Sequence, residues 1–134
     1  MSVLTDIATR MVDDGFGTLN TNLFRGRLPD EPDELTVLQT YLSQTPRIRN
    51  NDYLAADERF NLQVLTRSAS QAAAETRALN AYNAIQFRNE TLDSGRFYAY
   101  CRAIQMPAYL DVDDRGRHLV VFNVEVRRLR SSGL

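Results

Sequence analysis

The chain contains no lysine; all sixteen of its basic side chains are arginine. That absence excludes Schiff-base chemistry and a P-loop phosphate site, both of which need an ammonium on a flexible stem. The arginine bias has two readings. One is a genome whose base composition favours arginine codons, and the other is selection for planar, always-charged forks that make multivalent contacts. Cysteine is nearly absent as well: the single Cys101 excludes an internal disulfide and fits a reducing compartment. One cysteine and one histidine, His118, cannot build a usual zinc site, and no G-x-S-x-G, glycine-rich phosphate loop or nucleotide fingerprint occurs. Residues 1–12 are too polar and too few for a signal peptide or a membrane span, so a cytoplasm is the expected setting and no membrane partner is expected. With a net charge of −1 there is no general electrostatic pull toward nucleic acid, which needs a clustered basic face.

What is present is ordinary for a globular fold. Apolar residues make up 43% and charged residues 25% of 134. This length suits one domain over 1–134, burying roughly two thirds of the unfolded surface. Val3, Leu4, Ile7 and Met11 fall at helical spacing after Ser2, a candidate N-cap, and Asp13-Asp-Gly15 is the stop. Residues 23–28 form a short extended run ended by Pro29-Asp-Glu-Pro32. Residues 35–41 alternate with apolar groups on both faces, as in a central strand, and 59–66 alternate again. Between them, residues 43–58 have no periodicity and read as a long loop joining a strand pair.

Ser68 or Ser70 caps an alanine-rich helix whose expected buried face is Ala72, Leu79, Tyr82 and Ile85. After a polar turn at 89–95, residues 96–106 form a strand, and 118–126 form another, with Val120, Phe122, Val124 and Val126 on its buried face. The order predicts an α+β fold, a mostly antiparallel sheet of about four to five strands packed on two helices.

Candidate chemistry is weak throughout. Asp111-Val-Asp-Asp-Arg-Gly116 begins like a calcium loop, but Arg115 and Phe122 stand where oxygen donors are required, so it reads as a tight turn. If Met106 faces Arg117 across the last hairpin, Cys101 opposes Phe122, roughly 13 Å from His118 and beyond hydrogen-bond reach. Paired carboxylates such as Asp13 with Asp14 and Asp113 with Asp114 read as solvated caps. Neither an enzyme, nor a cofactor, nor a bound metal is expected.

The same register sets Phe97, Ala99, Cys101 and Ala103 on the core face. It leaves Tyr98, Tyr100, Arg102, Glu125 and Arg127 on the opposite face, a mixture that suits either a subunit interface or a sheet face covered by the chain's own loops. Arg47, Arg49 and Tyr53 on the long polar segment join them as candidate contacts.

Three motifs, Phe24-Arg-Gly-Arg-Leu-Pro-Asp-Glu-Pro-Asp33, Val64-Leu-Thr-Arg67 leading into the alanine-rich helix with Tyr82, and Pro107-Ala-Tyr-Leu-Asp-Val-Asp-Asp-Arg-Gly-Arg followed by Phe122-Asn-Val124, occur in an order that resembles the phage minor capsid or tail-terminator family of long-tailed, non-contractile phages. Asp111, where a glycine is common in the family's turn, and the long 43–58 segment are departures. The resemblance implies a virion protein of the tail-neck region. It would form a homo-oligomeric ring, a hexamer, at the head-proximal end of the tail tube, meeting the major tail tube protein on one side and the head connector on the other. DNA would pass through the lumen without specific binding. The alternatives are a head-tail connector or stopper ring and, from another class, a small ligand-binding α+β domain.

Overall fold

The structure, a computed structural model, describes residues 2–40, 44–49 and 52–129, with the backbone path alone for 44–49 and 52–57. Helix α1 (Val3–Asp13) starts where Ser2 caps it, its hydroxyl accepting the Thr5 amide at 3.1 Å. It ends at Gly15, whose φ of +88° is the left-handed geometry glycine tolerates. Strand β1 (Leu23–Arg25) runs parallel to β2 (Leu35–Thr40), and β2 pairs antiparallel with β4 (Asp52–Ser68). Helix α2 (Gln71–Ile85) is capped by Ser70, which accepts from the Ala73 amide at 3.0 Å. Strands β5 (Phe87–Thr91), β6 (Phe97–Ala103), β7 (Ala108–Val112) and β8 (His118–Leu129) complete the chain.

Among the described residues, all the strands belong to one eight-stranded sheet, in the order β1-β2-β4-β8-β6-β5, with β3 (Gln44–Arg49) beside β4 and β7 beside β8. Its spine is the β4–β8 pair, in continuous register from Asp57 opposite Leu129 to Ser68 opposite His118. Every pairing but β1 with β2 is antiparallel. The α+β class therefore matches the sequence pattern, whereas the strand count is twice the lower expectation. The excess has identifiable sources. Residues 43–58, expected as a loop, instead carry β3 and the first part of β4; β5 takes the stretch after α2 and the start of the expected 89–95 turn; and β7 forms within the acidic segment before β8.

One sheet face and the two helices enclose the core, where Ile7, Met11, Leu62, Ile85 and Phe122 are fully buried. Each such side chain contributes roughly 1.5–3 kcal/mol by leaving water. Val120, Phe122, Val124 and Val126 lie on this face as their alternation requires. The buried stripe of α2 differs from expectation: it is Ala74, Ala78, Ala81 and Ile85, while Ala72 and Leu79 face outward, Leu79 being 44% exposed. Small side chains bring this helix close to β4 and β8, with Ala74 and Ala78 against Val120.

Candidate assembly surfaces

The last hairpin does not have the expected register. Cys101 stands opposite Val126, not Phe122, because β7 forms a hairpin with the start of β8 and displaces β6 toward its end. The displacement is an even number of residues, so Cys101 stays on the core face. It also moves Cys101 to about 26 Å from His118 at ordinary strand rise, twice the expected separation. Burial pushes the Cys101 thiol up to about 12, and its side chain is fully enclosed. His118 instead meets the Tyr109 hydroxyl, 3.0 Å from its Nδ1.

Tyr98 departs from the expected face. An irregularity between Tyr98 and Tyr100 shifts the pairing by one, from Tyr98 opposite Arg128 to Tyr100 opposite Arg127, and turns Tyr98 into the core. There its hydroxyl donates to Asp6 Oδ2 at 2.5 Å, and its ring meets Phe87 edge-on. Burial first, and the hydrogen bond to Asp6 second, raise the Tyr98 phenol well above its ordinary value. Arg128 is buried beside it, donating through Nε to Glu58 at 3.1 Å, and Glu58 also accepts from Arg96 at 2.6 Å. Burial alone would lower the Arg128 pKa, but the hydrogen bonds to Glu58 and Tyr98 hold it above its usual value.

Tyr100, Arg102 and Glu125 do converge on the opposite face. Glu125 Oε1 accepts from the Tyr100 hydroxyl at 2.9 Å and from Arg102 at 2.8 Å, and the Arg102 guanidinium lies 4.4 Å from the Tyr100 ring centre. Burial would raise Glu125, yet these donors keep its carboxyl below the usual range. Arg127 is half-buried on the same face. Arg47, Arg49 and Tyr53 lie on β3 and the start of β4, and their side chains fall outside the described residues.

Two buried arginines organise the motifs that sequence reading singled out. Arg67 donates to the carbonyl oxygens of Asp30 and Pro32, at 3.1 and 2.6 Å. Arg117 donates to the Asp30 carbonyl, to Asp33 Oδ1 at 3.3 Å and to Asp113 Oδ2 at 2.8 Å. Asp113 Oδ1 closes the β7–β8 turn by accepting the Arg115 and Arg117 amides, both at 2.9 Å. The proline loop and the acidic turn, some eighty residues apart, are thus parts of one clamp. Among the described residues, no group of three or more histidine, cysteine or acidic side chains is placed to hold a metal ion.

Two further surfaces escaped sequence reading. Strand β7 pairs on one side with β8 and is exposed along its whole length, with Met106, Leu110 and Val112 at or beside it 59%, 54% and 42% exposed. At the end of α1, a cavity of 180 Å³ gathers Asp13, Asp14, Glu90 and Asp93 around Arg10, above Asp6. Arg10 is bidentate to Glu90, at 3.0 and 2.8 Å, and also reaches Asp14 at 2.9 Å. No local signal could reveal this cluster, since its acidic members come from the end of α1 and from β5 and the turn after it, about eighty residues apart.

The model of the bacteriophage tail terminator protein family matches residues 11–130, and the chain belongs to that family of structural virion proteins. A chain from a solved structure described as the virion of a native gene transfer agent (GTA) particle has the same fold, with a TM-score of 0.64 over 96% of each chain at 10% sequence identity. No curated protein matches significantly. Among the described residues, no helix is long and apolar enough to cross a membrane.

Proposed function

We propose that the whole chain acts as one domain that assembles into a hexameric ring at the head-proximal end of the tail tube. The ring stops the addition of tube subunits and presents a surface to the head connector. The family match over residues 11–130 carries this reading. The exposed apolar strand β7 supports it, because a soluble protein that leaves such an edge open invites pairing, and a partner in the assembly removes it. Tyr100, Arg102, Glu125 and Arg127 belong to the proposed subunit or partner contacts, together with Arg47, Arg49 and Tyr53. Tyr98 supports that face from within the core. The ring is assembled in the host cytoplasm and remains in the neck of the virion. It requires no cofactor, metal or membrane, and its nearly balanced charge lets DNA traverse the lumen without specific binding.

Polymerisation of purified tube protein tests termination directly. Adding the chain early should fix short tubes with a ring on one end, visible by negative-stain electron microscopy. Tubes that lengthen at the same rate and to the same extent with the chain present would contradict termination.

A further inference from the structure

The acidic cavity at the end of α1 carries more negative charge than its surroundings neutralise. Arg10 is fully engaged by Glu90, Asp14 and the Ala84 carbonyl, the last at 3.1 Å. Among the described residues neither Asp13 nor Asp93 has an ion pair; both line the cavity, and the neighbouring Asp93 carboxyl raises the Asp13 pKa. A second observation points to a missing partner. Asp6, only 3% exposed, also lines this cavity; its Oδ2 accepts from Tyr98 and lies 3.9 Å from Arg128, while its Oδ1 is buried with no hydrogen-bond partner among the described residues. A buried carboxylate oxygen without a donor is costly, and a cation seated in the cavity stabilises the Asp6 charge through its field while relieving the Asp13–Asp93 repulsion. A metal ion is disfavoured by the lack of a ligand group of the right geometry among the described residues. Since this chain has no lysine, a cation supplied by another copy is a guanidinium.

We propose that this cavity receives Arg27 from a second copy of the chain. Two arginines, Arg27 and Arg88, are exposed and have no ion pair or hydrogen bond among the described residues. Arg88 lies on β5, the sheet edge that also carries Glu90 of the cavity, so its use would join two copies by the same surface in a twofold contact. Arg27 follows β1, the opposite end of the strand order, next to the exposed Leu28. Joining β1's end of one copy to β5's end of the next is a heterologous contact, the kind that closes a ring. The contact rests on the ring reading given above and supplies its joint.

Charge exchange tests it by sedimentation velocity, with circular dichroism to verify folding. Arg27→Asp and Asp93→Arg should each weaken self-association about tenfold or more, and the double variant should recover most of the loss. Arg88→Asp should assemble like the parent. Single variants that form parental rings would overturn the contact while leaving the ring intact. A parent that stays monomeric even when supplied with tube ends would overturn the ring and the contact together. Disruption by Arg88→Asp but not by Arg27→Asp would replace the contact with a twofold one. Stoichiometric binding of calcium or magnesium, abolished by Asp93→Asn, would show that the cavity holds a metal and overturn the proposal.

Discussion

Asp6 illustrates how a single side chain ties α1 to the far end of the sheet. In the first turn of α1 the helix dipole favours an acidic side chain, but on the buried face that charge is costly unless it is paired. The Tyr98 hydroxyl pairs it, with Arg128 lying 3.9 Å from the same oxygen. Tyr98→Phe keeps the ring and its edge contact with Phe87 while deleting the donor. It should lower stability by about 1–3 kcal/mol, the usual cost of stranding a buried acceptor, seen as a reduced midpoint in urea with an unchanged slope. A loss below about 0.5 kcal/mol would mean that the Arg128 charge alone suffices for Asp6. None of this could be read from alternation, which put Tyr98 outside. One irregularity in the β6–β8 pairing reverses the face of every residue before it, and no residue type in Tyr98-Ala-Tyr100 announces it.

At the scale of elements, helix ends and the core strand were legible because local chemistry dictates them. Ser2 and Ser70 cap as their side-chain oxygens require, and Val120 to Val126 alternate because one side of β8 is in the core and the other half-exposed. Other elements were hidden for stated reasons. β3 pairs only with β4, past the point where β2 ends opposite Leu62, so backbone pairing builds it without the two-sided sheet that leaves a periodic pattern. In α2 hydrophobicity points to Leu79, but closeness to the sheet selects alanine, and the buried stripe is the row with the smallest side chains. Ala78→Leu should therefore destabilise by about 1–3 kcal/mol through overpacking against Val120, while Leu79→Ala should fall within about 0.5 kcal/mol of the parent. Thermal unfolding of the two variants distinguishes the faces, and a reversed order of stabilities would place Leu79 in the core.

Across the whole molecule, charge serves chiefly to join distant segments. Arg67 and Arg117 bind the proline loop to the acidic turn, Arg128 and Arg96 share Glu58, and Arg10 holds α1 to β5. Arg67 and Arg117 lie within the motifs by which the family resemblance could be seen in the sequence, so those motifs record architecture rather than chemistry. The acidic cavity and the exposed β7 edge, which no local sequence signal marks, are the surfaces the proposed ring uses for its contacts. The central claim is that a ring of this chain ends tail growth and makes the tail fit to join a head. Electron microscopy of particles produced with an early stop codon in this gene tests it most directly. The account predicts tails detached from heads, with tubes of variable length extending beyond the normal limit. Heads already carrying tails of normal length would contradict it, and detached tails of uniform normal length beside tailless heads would assign the chain to the head-side stopper instead.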